Sequence, residues 1–237
     1  MLIFEGDRPS DSPYVERVWR YHSDGGGSFL SIAECRSELV VARHEGRVTV
    51  TVRGPETMPT RLSYPSDAEW LGIRLKPGAF LPSRPARELV NSGMSLPAAT
   101  RASFWLDGAV WQLPDYENAD TFVAWLVRAG LLVIDPAVPA ALRNELTNAS
   151  LRTVQRRFLQ VSGVTRSVAR QIERARHATF LLRRGASIAD ATHEAGYFDQ
   201  PHLTRSLKRL IGQTPAELLR NGSELSYLYK TEPFATP

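Results

Sequence analysis

Four glycines punctuate the last third of this 237-residue chain: Gly163, Gly185, Gly196 and Gly212. Each follows a run in which apolar residues recur at helical spacing. Glycine enters the left-handed conformation without a Cβ penalty, which makes it a natural end for a helix. From about Pro139 to Arg220 the pattern therefore reads as two helix-turn-helix units joined by one long helix. The faces left by the apolar stripes carry arginine, glutamine, histidine and threonine. A domain does not need that pairing of apolar and basic faces merely to fold, whereas a DNA reader does.

Charge supports the same region. The chain as a whole carries a formal +4. Residues 140–220 hold fourteen Arg or Lys against six Asp or Glu, a balance of +8, and the remainder balances at −4. Basicity this local points to one polyanion-binding half. Cys35 is the single cysteine, so neither a disulfide framework nor a thiolate metal cage is expected. The start, MLIFEGDRPSDSPY, lacks the basic opening and apolar run of a secretory signal, and patches such as Ala129–Ile134 are too short to span a bilayer. A cytoplasmic chain with no membrane partner is the expectation.

The amino-terminal half reads as strands. Val48, Val50 and Val52 alternate with Thr49 and Thr51, and they follow Leu39-Val40-Val41-Ala42 across a hairpin turn at residues 44–47. Further strands are expected at Tyr14–Tyr21, Phe29–Ala33, Arg61–Tyr64 and Trp70–Leu75. Many short strands with Gly and Pro turns predict a small barrel or jelly roll. Residues 85–134 change character, and Phe122, Trp125, Leu126 and Ala129 predict a helix capped by Asp120 and ending near Gly130. Residues 134–139, with two prolines, read as the linker. No nucleophile elbow, phosphate loop or Cys/His pair appears, so catalysis is not expected. Asp24-Gly25-Gly26-Gly27-Ser28 lacks the lysine of a phosphate loop and reads as a turn. The five tryptophans, Trp19, Trp70, Trp105, Trp111 and Trp125, are candidates either for a ligand cavity or for ordinary core.

In the carboxy-terminal half, Pro139 suits the first turn of a short helix carrying Ala141, Leu142 and Leu146 inward, and Thr147-Asn148-Ala149 makes a turn. Ser150 is the N-cap of the next helix, with Leu151, Val154, Phe158 and Val161 inward and Arg152, Gln155 and Arg156 opposite. A long helix over Thr165–Arg184 turns Val168, Ile172, Ala175, Thr179 and Leu182 inward, leaving Arg170, Arg174 and Arg183 for phosphates or solvent. Ser187 caps the helix Ile188–Ala195, Gly196 makes the tight turn, and Tyr197 and Phe198 are expected to pack into the core. Asp199 caps a last recognition helix with Leu203 and Leu207 inward and Gln200, His202 and Arg205 outward. Arginine pairs bidentately with guanine and glutamine with adenine in the major groove, so base contact is expected from these polar faces.

The run Ser187-Ile188-Ala189, Ala195-Gly196-Tyr197, Asp199-Gln200-Pro201-His202-Leu203-Thr204-Arg205, Lys208-Arg209 and Gly212-Gln213-Thr214-Pro215 resembles the signature of AraC/XylS-type transcriptional regulators. Ser150 to Phe158 resembles the other recognition helix of that family, and the resemblance covers about residues 139–220. Thr192 stands where the family usually has a small apolar residue and Leu207 where it has phenylalanine. The resemblance implies two recognition helices in successive major-groove segments on one face of DNA. It places base contact on Arg152, Gln155, Arg156, Gln200, His202 and Arg205, and phosphate contact on Ser150, Thr204, Lys208 and Arg209. Residues 71–79 are similar to a segment of the sensor domains of some members, often cupin-like barrels with helices. The cupin metal histidines are missing, so no metal or other cofactor is expected.

The expected fold class is α+β. Residues 1–135 form a small cupin-like β-barrel with helices that senses an effector or dimerises. Residues 136–225 form an all-α double helix-turn-helix domain, and 226–237 a tail. The expected function is sequence-specific transcriptional regulation, modulated by a small molecule in the barrel. The expected partners are double-stranded DNA, a small-molecule effector, RNA polymerase and a second copy as homodimer. Two alternatives stand beside it: a first half that only dimerises or docks a protein, and an enzyme domain fused to a DNA reader.

Overall fold

Glu45 and Gly46 both take positive φ, 49° and 72°, and so form a two-residue turn whose twist matches that of the strands it joins. That hairpin joins two neighbouring strands of the main sheet in the computed structural model, which describes residues 1–145 and 150–220. The strands are β1 (Leu2–Pro9), β2 (Val15–Ser23), β3 (Gly27–Ser31), β4 (Glu38–His44), β5 (Arg47–Arg53), β6 (Thr60–Tyr64), β7 (Ala68–Leu75) and β8 (Ala79–Phe80). A 3-10 turn (Ala86–Glu88) precedes β9 (Gly93–Leu96), β10 (Ala98–Thr100), β11 (Ser103–Leu106) and β12 (Ala109–Gln112). Then come α1 (Ala119–Arg128), β13 (Val133–Ile134), α2 (Ala137–Leu142), α3 (Leu151–Ser162), α4 (Arg166–Arg183), α5 (Ile188–Glu194), α6 (Gln200–Leu210) and α7 (Pro215–Arg220). The expected α+β class, with strands first and helices last, is the class observed. Leu146 and the turn at 147–149 lie outside the described residues.

The chain divides into two compact units. The first comprises Met1–Gly27, Arg36–Pro55 and Ser63–Thr165; the second comprises Ser28–Cys35, Glu56–Leu62 and the residues from Arg166 onward. The first therefore includes α2 and α3, and the second includes a piece of the strand-rich half.

In the first unit a six-stranded sheet runs in the order β1-β2-β7-β4-β5-β9, each neighbouring pair antiparallel. The expected closure into a barrel does not occur: β1 and β9 are edges, and no pairing joins them among the described residues. Cover replaces closure. Helix α1 and the β11–β12 hairpin lay Phe122, Phe104 and Trp111 over one face, with ring centroids 6.1 and 6.5 Å from Phe122. Val18, Val41, Val50, Val52, Ile73 and Leu126 share that core. Gly72 faces Trp19 across the β2–β7 pair, and a Cβ there would overlap the indole ring.

Residues 93–112, for which no element was expected, form short strands, and the helix expected around Phe122 is α1. Asp120 does not cap α1. It lies in the first turn and accepts from Arg8 at 2.7 Å and from Ser10 at 2.5 Å. Trp125, expected inward, is 45% exposed, while Phe122 and Leu126 face the core.

One buried ion pair lies within the sheet. Arg74 and Glu38 are cross-strand partners on β7 and β4, with Nε 2.7 Å from the carboxylate and side chains only 1% and 8% exposed. Removing one partner of such a pair strands the other charge in a low dielectric. Arg74→Met should therefore lower unfolding stability by about 3–5 kcal/mol, read by urea titration. Arg74→Met combined with Glu38→Leu should recover most of that loss.

Candidate nucleic-acid interface

Helix α3 begins where Ser150 Oγ accepts from the Thr153 amide at 3.2 Å, and ends at Gly163 with φ +71°. Phe158 and Val161 are buried, at 2% and 6% exposure, and Val154 is half-buried. Within its unit α3 packs on α2, β8 and the 3-10 turn, where a Cβ at Gly163 would come within 2.7 Å of the Ala86 backbone. Arg157 donates twice to Asp135, at 2.9 and 2.8 Å, fixing the helix on the side away from its free face. That free face holds Arg152, Gln155 and Arg156, all exposed. Sequence reasoning missed a fourth member. Leu159, 43% exposed, stands three residues after Arg156 and four after Gln155, on the same stripe. An apolar side chain there suits the methyl group of thymine.

In the second unit, α4 contributes the buried residues Ile172, Ala175, Thr179 and Leu182 to one core with Leu203, Leu207 and Leu210 of α6. Ser187 caps α5 by accepting from the Asp190 amide at 3.1 Å, and Asp199 caps α6 by accepting from the His202 amide at 2.7 Å. Between them Gly196, at φ +69°, makes the turn. Arg174 pins this turn from α4: its guanidinium lies 4.5 Å over the Tyr197 ring and donates to the Gly196 carbonyl at 3.3 Å. Tyr197 is buried and shares a 2.9 Å hydrogen bond with Ser206; burial pushes its phenol up from the ordinary range. Phe198 does the opposite of what was expected. It is 93% exposed, while Tyr197 beside it takes the inward position. The departures at Thr192 and Leu207 are absorbed: Thr192 is buried and its hydroxyl donates to the Ile188 carbonyl at 2.6 Å, and Leu207 is fully buried.

Gln200 and Arg205 are exposed on α6. His202 is half-buried, its ring edge-on to Tyr197 at 5.1 Å, so it is partly a packing residue. Thr204 is half-buried and Ser150 exposed. Lys208 lies 3.4 Å from Glu217, and Arg209 donates to Gln171 of α4. Glu217 also accepts from the Thr214 amide at 2.6 Å, a reciprocal cap for α7 that holds its carboxyl below the usual range.

Other chemistry is sparse among the described residues. Glu34, Cys35 and Glu173 bring ligand atoms within 4.8 Å of one another, yet Glu34 already faces the Arg176 guanidinium at 2.8 Å, which opposes a cation there. The cavity between the sheet and α1 measures about 20 Å³ and is lined by Glu38, Leu39, Ile73, Phe122 and Leu126 among others, with no tryptophan. A partly open cleft of about 470 Å³ runs along Arg84, Pro85, Glu88, Leu89 and residues 92–95. No described helix is long and apolar enough to cross a membrane.

The caps make a simple prediction. Ser150→Ala and Asp199→Ala should each destabilise their own helix by about 1 kcal/mol. Hydrogen exchange should show faster opening of the first turn of α3 or α6 respectively, with the other helix unchanged.

Residues 145–221 match a family model described as a helix-turn-helix domain. The HTH-type transcriptional regulator RipA of Corynebacterium glutamicum is 34% identical over 90 residues, which cover 37% of this chain and 27% of that protein. The chain thus spans about a quarter of the length of that relative. Among solved structures, ToxT from Vibrio cholerae aligns at 11% identity and a TM-score of 0.37, covering 86% of this chain and 96% of its own. An apo variant of ToxT aligns at 11% identity and 0.40, covering 90% and 99%. The capped helices α3, α5 and α6, with their basic faces, lie within the stretch that the family model matches, and the carboxy-terminal third of the chain is a helix-turn-helix domain.

Proposed function

We propose that this chain is a sequence-specific transcriptional regulator that lays α3 and α6 into successive major-groove segments of one duplex. The observation that carries the reading is the pair of side-chain-capped helices. Each keeps an arginine and a glutamine exposed opposite a buried apolar stripe. Helix-turn-helix proteins read bases from the first turns of such helices. Arg152, Gln155 and Arg156 on α3, with Gln200, His202 and Arg205 on α6, are the base readers in this reading. Ser150, Thr204, Lys208 and Arg209 meet phosphates, with Lys208 exchanging Glu217 for the DNA backbone. RNA polymerase is a candidate partner of a regulator that acts as an activator.

The amino-terminal unit, in the same reading, carries the effector in the cleft beside the 3-10 turn rather than inside the sheet. A small molecule needs roughly 300–1,000 Å³, which the cleft of about 470 Å³ supplies and the interior cavity of about 20 Å³ does not. The 3-10 turn that lines the cleft is also one of the elements against which α3 packs, which gives a ligand a route to one recognition helix. A second reading makes this unit a dimerisation or docking module. Trp105 and Val110, cross-strand partners that are 45% and 50% exposed, favour it. Native mass spectrometry of protein from its own cells separates the two. An added mass that is lost on denaturation and absent from Ser92→Trp supports the cleft; a dimer with no added mass supports docking.

Duplexes selected from a random pool by the wild-type protein test the DNA reading. Arg152→Ala and Arg205→Ala should each lose about 1–3 kcal/mol of discrimination at a few base pairs. Lys208→Ala should instead weaken all sequences alike and reduce the salt slope by about one. Unchanged discrimination in both arginine variants would remove α3 and α6 from the role assigned to them.

A further inference from the structure

The core of the second unit is completed by a segment from the opposite end of the sequence. Ile32 and Ala33, 2% and 0% exposed, sit in one apolar cluster with Ile172, Leu203, Leu207 and Leu210. The Ala33 amide donates to the Leu210 carbonyl at 2.9 Å, satisfying one of the acceptors that the end of α6 leaves open. Glu34 pairs with Arg176 of α4 at 2.8 Å, both side chains 7% exposed. Behind this contact the segment is doubled. Glu34 and Glu56 exchange backbone hydrogen bonds at 2.8 and 2.7 Å, and Ser31 donates to the Glu56 carboxylate at 2.5 Å. The turn after α6 is fitted to the same strap: a Cβ at Gly212 would lie 2.9 Å from Leu30 and 3.1 Å from Pro59.

We infer that Ile32, Ala33 and Glu34 are positioning residues for DNA recognition by α6. This rests on the reading of α6 as a base-contacting helix. The strap touches the carboxy-terminal end of α6, the long helix α4 and the Gly212 turn, while Gln200 and Arg205 stand on a different face. Its action is therefore indirect. Ile32 and Ala33 fill the core behind Leu203 and Leu207, which sets the rotation of α6 about its axis. The Glu34–Arg176 pair locks the strap to α4. Because α3 belongs to the other unit, the strap governs one recognition helix and not both. Coupling of this kind is reciprocal, so DNA held by α6 also holds the strap in place.

The test is a quantitative hydroxyl-radical footprint of the full chain on a duplex selected by wild type from a random pool. Ile32→Ala and Glu34→Gln are compared with wild type; Glu34→Gln keeps the size of the side chain and serves alone if Ile32→Ala does not fold. The expected result is segment-selective. Half-maximal protection of the segment read by α6 should need at least about tenfold more protein, since a buried ionic partner is lost, while the segment read by α3 changes little. Equal loss over both segments, or no change in either, overturns the positioning role. A wild-type footprint of only one segment overturns the two-helix reading itself, whatever the strap variants do.

Discussion

A recognition helix can present only one set of side chains, and the buried stripe on its back decides which. On α6 that stripe is Leu203, Leu207 and Leu210, closed against Ile172, Ala175 and Ala178. On α3 it is Phe158 and Val161. With helical spacing fixed, burying these residues leaves Arg205 exposed on one helix and Arg152, Gln155 and Arg156 on the other. Caps then fix where each helix starts, through Ser150 and Asp199, so the first turn is held as well as the rotation. The two constraints together turn an arginine-rich sequence into a directed surface. Arginines that do not serve that surface are engaged elsewhere: Arg157 with Asp135, Arg174 with Tyr197, Arg176 with Glu34.

The helical third was legible because its signals are local. A cap, an apolar residue every third or fourth position and a left-handed glycine all lie within one helix length, and Gly163, Gly185, Gly196 and Gly212 all take positive φ. The β4–β5 hairpin was legible for the same reason, with its alternation and its turn adjacent in sequence. Strands β9 to β12 were not. At three or four residues each they are too short to show alternation, so residues 93–112 gave no signal of their own beside the helical spacing around Phe122. Closure of the sheet was equally illegible, because it depends on whether two distant edge strands meet, and here α1 and the β11–β12 hairpin cover the face instead.

At the candidate interface residue types were legible in the sequence, and their environments were not. Arg176 looks like every other arginine of α4 until Glu34, far upstream, is placed beside it. Phe198 looks like a core aromatic beside Tyr197, but in the turn after Gly196 only Tyr197 is buried. Leu159 was hidden by its own chemistry, since an apolar residue on a basic face reads as core. The strap was hidden most completely, because nothing in the sequence near residues 28–35 or 56–62 mentions helices from Arg166 onward.

The central claim is that two helices of one chain read two successive turns of the same DNA. Guanine-methylation interference on a selected duplex addresses it directly, because methylation at N7 blocks the major-groove edge that arginine reads. The account predicts two clusters of interfering guanines on one face of the duplex, about 10–10.5 base pairs apart. A single cluster, or two clusters on opposite faces of the duplex, would contradict it.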